Sequence, residues 1–172
     1  MNSDPVDGRY LEDFTVGDVY RHAHGRTISE ADNTWFSLVT NNPHQIHSNA
    51  DYASRTEFGR PLVVSTLTLA IVTGLSAPDV SQNAVANLAW HDVQLTAPVF
   101  AGDTLYATSE VMDVRPSRSR PGQGIVRVRT HGFNQHGDTV MTFERSILTY
   151  ARSARPGLDW RTARESASAD EW

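Results

Sequence analysis

The stretch FGRPLVVSTLTLAIVTGLS, residues 58–76, decides the fold of this chain. Its first four residues contain Gly59 and Pro61, which break regular structure. From Leu62 to Ser76 almost every residue is apolar or small. Such a composition is typical of a helix that protein covers on most sides, because a surface helix keeps a polar face. We therefore predict a central buried helix at about residues 64–76.

Segments with strand character lie on both sides of this helix in the sequence. One precedes it, at Val19 to Thr27. Four follow it, namely Ala84 to Val93, Asp103 to Arg115, Gly124 to Phe133, and Thr139 to Ala151. The short connector Asn134 to Asp138 makes the last two a hairpin. This order predicts an α+β domain in which an antiparallel β-sheet wraps around the central apolar helix.

Two shorter helices are predicted between the first strand and the central helix. Ser29 is a suitable N-cap for a helix whose apolar residues recur at helical spacing, at Ala31, Trp35, Leu38 and Val39. This helix should end near Thr40, because Asn41-Asn42-Pro43 is a breaker. A loop over residues 41–50 follows, and a second helical stretch is predicted from Ala50 to Glu57.

Length and composition narrow the function classes. A chain of 172 residues fits one domain of roughly 150 residues, and we predict a domain over 10–152 with flexible ends at 1–9 and 153–172. Cysteine is absent, which excludes disulfides, Cys-ligated metals and a thiol nucleophile, and fits a cytoplasmic protein. The net charge of −5 argues against a nucleic-acid partner, and we expect neither a leader peptide nor a membrane span. All 15 basic residues are arginines, so no lysine can form a Schiff base.

The chemically informative loop reads Thr40-Asn41-Asn42-Pro43-His44-Gln45-Ile46-His47. His44 and His47 could bind a metal, but zinc needs three protein ligands and no acidic residue follows before Asp51. The two side chains could instead only satisfy backbone groups of the loop. The third interpretation is that His47 transfers protons, since the unperturbed pKa of histidine lies near neutrality.

This loop resembles a motif of the MaoC-like dehydratases, relatives of the R-specific enoyl-CoA hydratases with the hot-dog fold. The family motif reads roughly Ser-Gly-Asp-x-Asn-Pro-Ile-His, and Thr40 to His47 occupy its places in order. His47 thus matches the catalytic histidine of the family, and Asn42 stands where the family has a catalytic aspartate. The resemblance extends from about Tyr10 to Arg152 and includes the segments 58–63 and 98–105.

Two further segments, 87–93 and 117–124, look like a narrower branch of this family, which includes the mesaconyl-CoA hydratases and β-methylmalyl-CoA dehydratases. The resemblance implies reversible addition of water to a 2-enoyl thioester. A branched dicarboxylic acyl-CoA such as mesaconyl-CoA is one candidate substrate, and an acyl-carrier thioester is another. The resemblance also implies no metal and no redox cofactor; coenzyme A enters as part of the substrate. It further implies at least a homodimer.

Asn42 leaves the acid–base assignment open, because an amide does not titrate in water. In one alternative His47 alone is the base and Asn42 orients the water. In a second, His44 joins His47 in the proton transfer, and in a third the protein binds acyl thioesters without turnover. A hot-dog thioesterase is a further alternative, kept open by Glu57, but that class places an acid on or near the central helix, and Leu62 to Ser76 contains none.

The remaining site predictions concern charge. The enolate oxygen that forms during hydration needs N–H donors, and the start of the central helix offers the backbone of Val64 and Ser65. Arg60 is predicted either to contact the acyl carboxylate or to cap local carbonyls. Three more arginines are predicted either to bind the phosphates of coenzyme A or to form a solvated basic turn, namely Arg115, Arg118 and Arg120.

Overall fold

The structure, a computed structural model, describes residues 8–156. Its helices are α1 (Glu30–Val39), α2 (Ala50–Ser54) and α3 (Ser65–Val80). Its strands are β1 (Val19–Arg21), β2 (Arg26–Thr27), β3 (Ala84–Leu95), β4 (Thr104–Pro116), β5 (Gln123–Phe133) and β6 (Thr139–Tyr150). Short 3-10 turns lie at Leu11–Asp13, Gln45–His47 and Arg152–Ala154.

The strands form an antiparallel sheet in the order β1-β4-β5-β6-β3, and β2 pairs with β4. β5 and β6 form the predicted hairpin across residues 134–138. β6 lies between β5 and β3, so that β3 is an edge of the sheet. The predicted α+β architecture, an antiparallel sheet with one long central helix, is therefore confirmed.

α3 packs against the sheet at β4 and β5. The approach is closest at Gly132 of β5, where an added Cβ atom would lie 2.7 Å from Val72. A glycine at this position therefore lets the helix sit directly on the sheet. Within residues 8–156, none of the helices has the length and apolar character needed to cross a lipid bilayer.

α3 ends four residues later than the predicted end at Ser76. The prediction placed the end there because the run of apolar and small residues stops, and the next turn contains Pro78, a residue that disfavours helix interiors. Pro78 lies in the last turn, where its missing N–H removes a single hydrogen bond. Beyond it, Val80 is almost completely buried and the carboxylate of Asp79 pairs with Arg9 at 2.7 Å. These contacts hold the last turn in place.

The predicted strand Val19 to Thr27 is two strands in the structure. β1 and β2 both pair with β4, and residues 22–25 separate them. The chain bends at Ala23 between them, while the side chain of His22 stays buried in contact with Asp79 and Ser109. The second predicted helix is also shorter than expected, since α2 ends at Ser54.

The folded part of the chain extends beyond the predicted limits of 10–152. At one end, Arg9 forms its ion pair with Asp79. At the other, a 3-10 turn ends at Ala154 and Arg155 donates a hydrogen bond to the hydroxyl of Tyr10 at 2.7 Å. The rest of the predicted flexible ends, 1–7 and 157–172, lies outside the described residues.

The buried core divides into two clusters at the two ends of α3. The cluster at the N-terminal end includes Ile28, Val63, Val64, Leu67, Leu105 and Phe143. The cluster at the C-terminal end comprises Phe14, Val80, Val111, Val126, Val128 and Ile147.

Candidate active site

The loop between α1 and α2 presents His47 from a short 3-10 turn, Gln45–His47. Asn41 starts the loop with a positive φ of 52°, a left-handed conformation that asparagine tolerates better than most residues. Ile46 is buried, and its carbonyl accepts a hydrogen bond from the N–H of Leu62 at 3.0 Å. The turn is thereby attached to the chain just before α3.

Within the described part of the chain, one ring nitrogen of His47 is hydrogen-bonded and the other has no partner. Nδ1 lies 3.0 Å from the carbonyl oxygen of Leu62. Because a carbonyl oxygen can only accept, Nδ1 carries the proton of the neutral ring and Nε2 keeps its lone pair. A neutral imidazole in this tautomer can take up a proton at Nε2 and release it again.

His47 borders an apolar cavity of about 360 Å³ beside the N-terminus of α3. Segment 95–99 and Val63 supply much of its apolar wall, and Phe58 contributes an aromatic ring. Its polar side chains besides His47 are Ser65, Thr68 and Thr96. The cavity can therefore hold a mostly apolar group with one reactive end beside His47.

The first turn of α3 supplies N–H donors to this cavity. Ser65 is the first helical residue, and Val64 is the N-cap. The N–H groups of Leu67 and Thr68 both donate to the carbonyl of Val64. Among residues 8–156 the N–H of Ser65 finds no acceptor, so it is available to a bound oxyanion. The structure thus brings Ser65 and His47 to one cavity.

The N–H of Val64, the other predicted oxyanion donor, is already engaged. It donates to Oδ1 of Asn33 at 2.9 Å. Of the two predicted donors, the geometry therefore favours Ser65.

Sequence analysis missed Asn33, which lies on α1 and is only 5% exposed. Its Nδ2 donates to the carbonyl oxygens of His47, at 2.9 Å, and Leu62, at 3.0 Å. The available signal was a polar pair four residues apart, Asn33 and Ser37, which form the buried face of α1. The apolar residues used to predict that helix point the other way, since Trp35, Leu38 and Val39 are exposed.

Arg60 lies on a second, more polar cavity of about 290 Å³ that His47 also borders. The guanidinium of Arg60 stacks over the ring of Phe100, with 3.9 Å between Cζ and the ring centroid. Glu30 and Asn33 contribute to the same cavity. The structure therefore brings Arg60 and His47 together, with His47 between an apolar and a polar space.

Asn42 and His44 shape the loop and stay outside both cavities, whose described walls include neither side chain. Oδ1 of Asn42 accepts the N–H of His44 at 3.1 Å, and Nδ1 of His44 accepts the N–H of Ile46 at 3.1 Å. The rings of His44 and His47 are 5.8 Å apart between centroids. This geometry favours His47 as the single base, and the catalytic roles of Asn42 and His44 stay predictions.

The structure does not bring Arg115, Arg118 and Arg120 to His47 within one chain. They lie at and beyond the end of β4, in the hairpin to β5, whereas the site adjoins the start of β4. A strand of this length spans about 40 Å at about 3.3 Å per residue. Arg115 is exposed and lies 3.7 Å from Asp113. Their binding of coenzyme A phosphates stays a prediction.

The described part of the chain holds no group of three or more His, Cys, Asp and Glu side chains that could bind a metal ion. The prediction that the protein works without a metal or redox cofactor remains untested.

Comparison with solved structures places this fold in a class. A putative MaoC domain protein dehydratase from Chloroflexus aurantiacus matches with a TM-score of 0.83 and 30% identity, over 92% of this chain and 45% of that chain. The fold is the predicted hot-dog fold, and its class is that of the MaoC-like dehydratases.

Curated relatives narrow the class further. The mesaconyl-CoA hydratase of Cereibacter sphaeroides is 33% identical over 145 residues, which cover 84% of this chain and 42% of the relative. The beta-methylmalyl-CoA dehydratase of Chloroflexus aurantiacus is 32% identical over 152 residues, which cover 88% and 43%. The profile of the mesaconyl-CoA hydratase family matches residues 4–170, and the chain belongs to this family. It spans less than half the length of these two relatives.

Proposed function

We propose that this protein adds water reversibly to the double bond of a 2-enoyl-CoA thioester, with a branched dicarboxylic acyl group such as mesaconyl as substrate. The observation that carries the proposal is that His47 and Ser65 line one apolar cavity, where, among the described residues, His47 Nε2 and the Ser65 N–H have no hydrogen-bond partner. The activities in the names of the two curated relatives support this choice of substrate class.

In the proposed reaction His47 is both base and acid. Nε2 takes a proton from water while the water oxygen bonds to the β-carbon of the enoyl group. The π electrons shift to the thioester oxygen, and the resulting enolate is stabilised by the N–H of Ser65 and the positive end of α3. The imidazolium then returns its proton to the α-carbon as the carbonyl re-forms. Dehydration uses the same groups in the reverse order.

The acyl carboxylate of a dicarboxylic substrate has a candidate partner in Arg60. Its guanidinium lies on the polar cavity next to His47, and stacking on Phe100 holds it there. The neutral Asn42 fits the same proposal, because an aspartate at that place would add a negative charge near a negatively charged substrate. Arginine forms paired hydrogen bonds with carboxylates, which makes this partner specific as well as attractive.

Binding without turnover is the second candidate function, since Asn42 cannot act as the family's aspartate. The thioesterase alternative has less support, because the described walls of the apolar cavity carry no Asp or Glu side chain. A carrier-bound acyl group competes with coenzyme A as the thioester, and assaying both forms of one acyl group separates them.

Turnover of crotonyl-CoA and mesaconyl-CoA, followed by loss of the enoyl-thioester absorbance, tests the proposal. We expect the unmodified protein to hydrate mesaconyl-CoA in preference, and His47→Ala to lose about 10²–10⁴-fold in kcat because the proposed proton acceptor is removed. His44→Ala is the matched control, since its ring is exposed and lies outside the cavities. It should keep most of the activity.

The outcomes separate the candidate functions. Activity that appears only in Asn42→Asp would show that asparagine silences the site. If all variants are silent, titration with a non-reactive acyl-CoA decides whether the protein binds thioesters at all. A loss of activity in His44→Ala as large as that in His47→Ala would favour shared proton transfer.

We also propose that the working unit is a homodimer joined along β3. This edge strand exposes Leu88, Trp90, Val93 and Leu95, and a long apolar edge with free backbone groups favours pairing with another strand. Leu95 also lines the apolar cavity, so a partner there would complete its wall. The cytoplasmic location remains a prediction.

Light scattering tests the dimer. The unmodified protein should have twice the mass of one chain, and Trp90→Glu should reduce it to one. Trp35→Glu is the matched control, because Trp35 is equally large and even more exposed, at 67% against 42%, but lies on α1. A single-chain mass for the unmodified protein would contradict the proposal.

A further inference from the structure

We infer that Asn33 is a positioning residue that sets the His47 ring and the oxyanion end of α3 relative to each other; this rests on the proposed function. Asn33 is buried on α1, and its side chain forms hydrogen bonds with three groups that lie 14, 29 and 31 residues further along the chain. All three partners are backbone groups of His47, Leu62 and Val64.

The first two hydrogen bonds hold the base. Nδ2 of Asn33 donates to the carbonyl of His47 and to the carbonyl of Leu62. The same Leu62 oxygen accepts Nδ1–H of the His47 ring. Asn33 therefore fixes the backbone that carries the ring and also the acceptor that selects its tautomer. With the proton held on Nδ1, Nε2 stays unprotonated and faces away from Leu62.

The third hydrogen bond holds the oxyanion donor. Oδ1 of Asn33 accepts the N–H of Val64, which is the N-cap of α3. The next N–H along the chain, that of Ser65, is then the first donor of the helix that has no acceptor among the residues the structure describes. One side-chain amide thus positions both the atom that takes the proton and the group that stabilises the enolate.

Only a primary amide fits this position. Asn33 uses two N–H donors and one oxygen acceptor at once. An ionised aspartate has acceptors only and would face two carbonyl oxygens, which repel it, while leucine offers no hydrogen bond. An aspartate here would have to be protonated to donate even one bond, and this makes its effect depend on pH.

Kinetics of Asn33→Asp and Asn33→Leu test the inference. At neutral pH we expect kcat to fall about 100-fold in both, with KM little changed, because the reacting groups are misplaced rather than removed. In Asn33→Asp, kcat relative to that of the unmodified protein at the same pH should recover as the pH falls and the new carboxyl gains its proton. Asn33→Leu should show no such recovery. Activities are compared per folded molecule, with the folded fraction taken from near-UV circular dichroism at each pH.

The matched control is Asn83→Asp. Asn83 is also 5% exposed, and its Nδ2 donates to the carbonyl of Arg9 at 3.3 Å, just beyond the C-terminal end of α3. This variant should leave kcat per folded molecule unchanged. An equal loss in Asn83→Asp and Asn33→Asp, or no pH-dependent recovery in Asn33→Asp, would show that Asn33 is only a structural residue.

A second readout does not depend on turnover. Long-range ¹H–¹⁵N spectra of the unmodified protein should show the neutral His47 ring with its proton on Nδ1, and Asn33→Leu should shift the ring toward a mixture of tautomers. A proton on Nε2 in the unmodified protein, or an unchanged tautomer in Asn33→Leu, would overturn the inference. If the unmodified protein shows no turnover, the proposed function fails and the tautomer alone decides the role of Asn33.

Discussion

Two histidines lie at opposite ends of α3 and differ in what they can do. His47, near the N-terminus of the helix, has one engaged nitrogen and borders two cavities. His22, near the C-terminus, is buried with both nitrogens engaged, Nδ1 with Asp79 at 2.8 Å and Nε2 with Ser109 Oγ at 2.9 Å. To act on a substrate, a histidine ring needs an available nitrogen beside a space that the substrate can enter. Of these two histidines, His47 meets both conditions and His22 meets neither.

The side chains of Ser109, His22 and Asp79 are hydrogen-bonded in the order of a hydrolase triad, yet the serine is buried where a substrate cannot reach it. Ser109 is only 1% exposed, and its hydroxyl is also hydrogen-bonded to Thr130 at 2.9 Å. A nucleophile has to reach a substrate carbonyl, which this hydroxyl cannot do. The comparison teaches that a hydrogen-bonded row of Ser, His and Asp side chains does not by itself indicate a catalytic site.

The titratable groups around His22 stabilise the fold. Burial lowers the pKa of His22 and outweighs the opposite effect of its hydrogen bond to Asp79. Burial also raises the pKa of Asp79, but hydrogen bonds from His22 and Arg9 outweigh it, so the net shift is downward. Arg145 lies buried nearby, donates to Ser76 Oγ at 2.9 Å, and has its pKa lowered to about 10 by burial.

The largest effect is expected from removing the backbone N–H that we propose as the oxyanion donor beside His47, at the N-terminus of α3. Ser65→Pro deletes the N–H at the first position of α3, where proline is tolerated, and the ψ of 127° at Val64 suits the residue before a proline. We expect kcat to fall about 10²–10³-fold, the usual effect of losing an oxyanion donor. Enoyl-CoA hydration, followed by absorbance, measures it.

Ser65→Ala is the matched control for this variant, because it keeps the N–H and loses only the hydroxyl. It should retain most of the activity, and thermal unfolding should show that both variants are folded. If Ser65→Ala loses as much kcat as Ser65→Pro, the hydroxyl is the important group and the backbone donor is not.

A smaller effect is expected from replacing His22, near the C-terminus of α3, and it should change the stability of the protein instead of its turnover. His22→Leu removes one hydrogen-bond partner from Asp79 and one from Ser109, and we expect it to lower the free energy of unfolding by about 1–3 kcal/mol at pH 8. Urea unfolding measures this, with His24→Leu as the exposed control two residues away. Turnover per folded molecule should be unchanged in both variants.

The difference between the unmodified protein and His22→Leu should shrink in acid. Because the pKa of His22 is lowered in the folded state, the unfolded chain binds the proton first as the pH falls. The stability contributed by His22 is fully present above about pH 6.5 and is lost as the pH falls from there to the folded-state pKa. A difference that stays constant or grows between pH 8 and pH 5 would contradict the role assigned to this ring.

Sequence patterns predicted most of the fold but assigned one helix face incorrectly. The apolar stretch 62–76 and the alternating segments after it predicted α3 and β3 to β6 with small errors at their ends. For α1, helical spacing located the element correctly while its apolar residues turned out to be exposed, with Trp35 at 67%. The buried face of α1 is polar because Asn33 has to reach backbone groups beneath it.

By itself the sequence determined the central helix, the order of the strands and His47 as the candidate for proton transfer. These follow from local periodicity and from the chemistry of single residues. Only the tertiary structure decided that Ser65 and not Val64 has a free N–H, that Asn42 and His44 stay outside the cavities, and that Asn33 joins the parts of the site. The physical reason is that the deciding hydrogen bonds connect residues 14 to 31 positions apart, which no local pattern records.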